Sequence, residues 1–250
     1  MGRAISHRWI VWVSLASLLF ATAFYVAPVV AGPLTDKRIA FTITRNGDAI
    51  GSHVYNFVRQ GDRIIVNIQT DIDFRFLSIP FYRFQHEARE IWRGDKLMRL
   101  VSSTNDNGDN VALDVRVDGD VLKVGGKDGE AEIDALAIPA SLWNIGVVER
   151  GTLVDPVSGK VMSTTATDMG TETLAIAGEA VEARHFKLSG DYSREVWYDS
   201  RSGALLRVLF EGSDGSEIEY VRRKMGVGSL SSSGELRPLI PAGAGTTVIE

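Results

Sequence analysis

The residues of this chain best suited to chemistry are His86 and Glu90, in the stretch "FYRFQHEAREIW". Apolar and polar residues alternate through it. Tyr82, Phe84, His86, Ala88, Glu90 and Trp92 fall on one side, and Phe81, Arg83, Gln85, Glu87, Arg89 and Ile91 on the other. A strand rises about 3.3 Å per residue, so His86 and Glu90 share a face about 13 Å apart and cannot touch. On a concave face they would be the few polar groups of an apolar pocket, and burial would raise the Glu90 pKa. A structural arrangement accounts for the same pattern: Glu90 paired with an Arg of a neighbouring strand, and His86 hydrogen-bonded in the core. Trp143 and Asn144 follow a turn at Pro139. Either they close a ligand pocket, or Trp143 fills the core while Asn144 caps the turn or bonds a strand end.

This set points to binding rather than turnover. Tyr82, Phe84, His86, Glu90, Trp92, Trp143 and Asn144 are the candidate ligand-binding residues, and no catalytic residue, metal ligand or cofactor site is expected. "GSHVY" at Gly51 lacks the G-x-S-x-G spacing of a nucleophile elbow. No HExxH zinc motif, P-loop or dinucleotide fingerprint is present. Cys is absent, which excludes disulfides, zinc thiolates, thiol nucleophiles and a lipidated Cys. Asp199 suits a turn, and one Asp is far from the oxygen count that calcium requires. A hydrolase using Glu90 as acid or base remains the enzymatic alternative, although no nucleophile–base–orienter set accompanies it.

The elements that must position these residues are strands. In "RIIVNIQTDIDFRFL" the even-numbered residues are apolar or nearly so, and the odd ones mostly polar. That period predicts a strand whose even side chains face a concave interior, with Tyr82, Phe84 and Trp92 of the next strand facing the same way. Upstream, "IAFTITR" and "AIGSHVYNFVRQ" flank the hairpin signal at Asn46–Asp48. Downstream, "KLMRLVSSTND", "NVALDVRVDG" and "VLKV" continue the meander. "IPASLWNIGVVERG" breaks the alternation and predicts a short helix or helical turn with Ser141 at its N-cap, a plug for the concave side. Strands then resume at 160–167, 172–176, 180–189, 194–198, 204–211 and 217–222. The fold expected is mainly β: an antiparallel meander forming a curved sheet or open half-barrel with one short helix, since so many strands in a flat sheet would expose their edges.

The ends of the chain read differently. Residues 1–31 combine Arg3 and Arg8, an apolar run from Ile10 to Ala31, Pro28 and small residues at the end. This is the pattern of a cleaved secretory signal, ending at Ala31 or alternatively after Ala23, with an uncleaved N-terminal anchor as the rival. A periplasmic or secreted location is expected, with no membrane span after cleavage. Loss of the two Arg takes the net charge from −5 to about −7. With no basic cluster, a nucleic-acid partner is disfavoured. Residues 32–225 form the expected β domain, and the Gly-, Ser- and Pro-rich 226–250 a disordered tail.

Several stretches in order resemble a family of secreted bacterial proteins known only as a domain of unknown function. They are "FTITRNGDAIGSHVYNFVRQGDRIIV", "FYRFQHEAREIWRGDKLMRLVSSTNDNGDN", "IPASLWN" and "LSGDYSREVWYDSRSGALLRVLFEGSDGSEIEYV". Gly51, Glu90, Trp92, Pro139, Trp143, Asn144 and "VWYD" with Gly203 mark the likeness, which implies a fold and an export address but no activity. Strand order is also similar, more distantly, to envelope half-barrels of the outer-membrane lipoprotein carriers (the LolA/LolB-like shape). The functional expectation is an envelope protein that binds an apolar or amphipathic molecule, a lipid or a lipidated chain, on a concave face. The alternative is a structural or protein-interaction module with a filled interior.

Overall fold

The computed structural model describes residues 38–77, 79–126 and 129–223; the segments expected to be a signal (1–31) and a tail (226–250) lie outside the described residues. Eight strands come first: β1 (Arg38–Arg45), β2 (Asp48–Gln60), β3 (Arg63–Phe76), β4 (Ile79–Arg93), β5 (Lys96–Asp106), β6 (Asp109–Asp118), β7 (Val121–Gly126) and β8 (Gly129–Asp134). A central segment holds β9 (Ile138–Pro139), a 3-10 turn (Ile145–Val148) and β10 (Thr152–Val154). Five strands follow: β11 (Val161–Ile176), β12 (Glu179–Gly190), β13 (Arg194–Asp199), β14 (Leu205–Glu211) and β15 (Glu217–Arg222). No helix among the described residues is long and apolar enough to cross a membrane.

All fifteen strands belong to one open, curved sheet in the order β8-β7-β6-β5-β4-β3-β2-β1-β15-β14-β13-β12-β11-β10-β9. Neighbours pair antiparallel except β9 with β10. The topology is two meanders zipped together where β1 pairs with β15. Laid flat, such a sheet would be roughly 70 Å wide. Yet its edge strands, β8 and β9, are joined by residues 135–137 alone, which reach about 14 Å. The connection therefore rolls the sheet until its edges approach without pairing.

The period-2 pattern fixes which side is inside. Across β3 and β4, Ile64 faces Trp92, Val66 faces Glu90, Ile68 faces Ala88, Thr70 faces His86, Ile72 faces Phe84 and Phe74 faces Tyr82. Val66, Ile68, Thr70, Ala88, Glu90 and Trp92 are buried, while Gln69, Asp71, Asp73 and Arg75 are exposed. The even-numbered face of β3 is thus the interior one, as the alternation requires.

Three details depart from the sequence reading. The 3-10 turn is capped by Asn144, whose side-chain oxygen accepts from the Gly146 N–H, and not by Ser141. Leu142 adopts φ +66°, which no helix through Ser141 could contain. Segments 160–167 and 172–176 are one strand, β11, with a bulge between Asp168 and Gly170. Strand β8 was not expected from sequence; its alternation is of small residues, with Ile133 alone packed against the core, and its exposed Glu130, Glu132 and Asp134 suit a sheet edge.

Candidate functional site

The interior is filled from the central segment. Three consecutive carbonyls, of Ala140, Ser141 and Leu142, accept hydrogen bonds from the hydroxyls of Tyr192, Tyr55 and Tyr198 respectively. Irregular backbone inside a sheet has no ladder to satisfy it, so side chains supply the donors. This is the plug expected on the concave side, built from irregular chain more than from helix.

Glu90 secures the plug. The residue is wholly buried, and its Oε2 accepts from the indole N–H groups of Trp92 at 2.7 Å and Trp143 at 2.8 Å. The two indoles meet edge to face, 5.4 Å between ring centroids. Burial pushes the Glu90 pKa up, against the hydroxyl of Ser141 and the two indole donors, which favour the charged form. The Arg partner that the structural arrangement read from sequence called for is not found among the described residues; the carboxylate's partners are tryptophans. Glu90 thus ties sheet to plug and has no exposed surface of its own.

His86 occupies a separate polar row. The register sets His53 opposite Thr70, Thr70 opposite His86, and His86 opposite Thr104, across β2 to β5. His53 Nδ1 lies 2.7 Å from Thr70 Oγ1, and His86 Nδ1 lies 2.8 Å from Thr104 Oγ1. Burial, with repulsion from His86 and Arg194, lowers the His53 pKa to about 3. Burial lowers that of His86 to about 4, against the pull of Asp155. Both imidazoles are neutral at pH 7. His53 Nε2 has no hydrogen-bond partner.

His53, Thr70 and His86 of this row form the floor of a half-open pocket of about 160 Å³ between the sheet and the plug. Ile68, Phe84, Leu142, Val157 and Val208 give it apolar walls; His53, Thr70, His86, Asp155, Tyr192 and Arg194 give it polar groups. Of the residues singled out from sequence, Phe84 and His86 line this pocket. Glu90, Trp92 and Trp143 are packed together in the core beyond it, Asn144 caps the 3-10 turn, and Tyr82 lies half-buried farther along β4. His53, Thr70 and Arg194 were not singled out. Their signal is cross-strand: each is an ordinary residue of its own strand until the register aligns it with the others.

Residues 41–223 match the profile of a protein family described as Domain of unknown function (DUF6134). The chain belongs to that family. The DUF6134 match spans both meanders and the plug between them, so the pocket and the Glu90 cluster lie inside the family domain. No curated protein matches the sequence. The comparisons lend no support to the likeness to lipoprotein carriers.

Proposed function

We propose that this protein is an exported, non-enzymatic binding protein of the cell envelope. Its concave pocket takes one end of an amphipathic molecule, a lipid or a lipidated chain. The observation that carries this reading is the half-open pocket between sheet and plug, apolar in its walls and polar on its floor. A cavity of this size holds about a benzene's worth of atoms, so it suits a head group or chain end and leaves the rest of the ligand outside. A second observation favours a lipid-like partner. The β3–β4 turn and the start of β4 expose Leu77, Ile79 and Phe81 at 81%, 68% and 69%; Phe81 lies roughly 10 Å along β4 from the lining Phe84, on the other face of the strand. The apolar run and small residues before position 32 support export, and N-terminal sequencing of the native protein tests it.

The test of the pocket is a filling mutation. Val157 lies in the turn after β10, where a larger side chain disturbs no strand. Native mass spectrometry and calorimetry with short-chain amphiphiles should show one bound molecule, and Val157→Trp should abolish binding while the melting temperature moves by no more than a few degrees. Binding undiminished in Val157→Trp would place the ligand elsewhere. A protein that retains no amphiphile at all would leave the filled structural module as the reading.

A further inference from the structure

Three residues that line the pocket hold a buried side-chain atom without a hydrogen-bond partner: Ser141, whose hydroxyl faces the Glu90 carboxylate, and His53 and Arg194, which face neither it nor any ion-pair partner among the described residues. His53 is 7% exposed and lines the cavity, with its Nε2 unbonded. In Arg194 the atom is Nε, likewise buried and unbonded, in a residue that lines the same cavity. Buried polar atoms are ordinarily paired, and an unpaired one in a pocket wall marks a place for a ligand atom. The Arg194 guanidinium is held by its faces: its central carbon lies 3.8 Å from the Phe210 ring centroid and 4.5 Å from that of Tyr192. Among the described residues it makes no ion pair. An arginine fixed between aromatic rings keeps its charge and its planar donor array without a carboxylate to neutralise it.

We propose, building on the pocket reading above, that Arg194 and His53 together bind the oxyanion head group of the amphipathic ligand, a carboxylate or a phosphate monoester carried on an apolar tail. Arg194 supplies the charge and a donor fork matched to two oxygens. His53 supplies a single N–H when Thr70 donates to its Nδ1, since the proton then sits on Nε2. Asp155 is the group an anion must avoid. Its two carboxylate oxygens accept from the Val157 N–H at 3.0 Å and the Ser158 hydroxyl at 2.6 Å, which commits them to their own turn. His86 faces the same cavity, with its Nδ1 occupied by Thr104, and Tyr55, Tyr192 and Tyr220 complete the set of titratable groups around the site. The head group therefore sits at the Arg194–His53 side, and the tail runs against Ile68, Phe84 and Val208.

The experiment compares one tail with three heads at pH 7: octanoate, octyl phosphate and octan-1-ol, titrated calorimetrically into the protein. At least one of the two anions should bind ten-fold or more tightly than the alcohol, and which one identifies the head group. Arg194→Gln should collapse that gap to less than about three-fold, while Arg194→Lys, which keeps the charge, should retain part of it. The 15N resonances of the His53 ring should move on addition of the preferred anion and stay with the alcohol. Alcohol binding as tight as both anions would overturn the head-group inference and leave the pocket reading standing. Binding of none of the three would overturn both.

Discussion

His53 and His86 are held neutral by burial, and Glu90 is pushed towards neutrality by the same cause, so the interior responds to pH from both sides. Unfolded, the two imidazoles titrate near 6.5; folded, they resist protonation to about 3 and about 4. Below pH 6.5 the unfolded state takes up protons that the native state refuses. The stability they provide is complete above 6.5 and falls with pH, by roughly 2 kcal/mol per histidine at pH 5. Glu90 has the opposite sign. Its folded pKa lies above the unfolded 4.5, so its favourable contribution is full below 4.5 and is lost as pH rises through the folded value. Two histidines outweigh one carboxylate, so urea midpoints measured across pH 5–9 should fall as the pH drops below 6.5, with Glu90 partly offsetting that fall. Glu90→Gln keeps an acceptor for the indoles and has no charge to bury, so it should remove that offset and steepen the fall on the acid side. A Glu90→Gln curve parallel to the native one would contradict the buried, ionisable Glu90.

Gly51 shows how one element constrains another. It sits on β2 opposite Ile72, next to the irregularity between Ile43 and Thr44 of β1. A Cβ at this position would lie 2.3 Å from the Asp71 carbonyl oxygen, a backbone atom that cannot swing aside. Gly51→Ala should push β2 and β3 apart and lower stability by about 1–3 kcal/mol, as overpacking does. Because Ile68, Thr70 and His53 lie on these same strands, amphiphile binding should weaken with it. Gly47, in the β1–β2 turn, has open space around its Cβ position and φ +88°. Substitution there costs local backbone strain alone, so Gly47→Ala should destabilise without changing binding. Chemical denaturation and calorimetry of the two variants separate a close approach between strands from a turn requirement.

The whole molecule depends on one long-range seam. Strands β1 and β15 pair across nearly the entire described sequence, Phe41 opposite Arg222 and Ile43 opposite Tyr220, and this seam joins the two meanders. A chain truncated before Glu217 loses β15 and exposes the edges of both β1 and β14. It should fail to give a cooperative thermal transition. Removal of 226–250, a segment with few apolar residues to bury, should shift the melting temperature by no more than a few degrees. A larger fall would mean that "LRPLI" docks on the domain.

The sequence by itself determined the class of fold, the faces of the strands and most of their turns, because alternation and turn chemistry are local. A slip of one residue in β3 would bury Asp71, Asp73 and Arg75, so the inner face of "RIIVNIQTDIDFRFL" was legible from its letters. The spacing of His86 and Glu90 along one face was legible for the same reason. Their separation into two sites was not. Glu90 meets Trp143, 53 positions away, and His86 belongs to a row whose members come from β2, β3 and β5. Strand β8 was not legible because its inward positions are Gly129, Ala131 and Ile133, of which only Ile133 packs against the core, and the expected Ser141 cap failed because the tyrosines that hold residues 140–142 come from distant strands. Which strands adjoin, how tightly the sheet rolls and which polar atoms are left unpaired in its hollow are decided by pairing between residues far apart in sequence, and only the tertiary structure brings His53, Thr70 and Arg194 into one pocket.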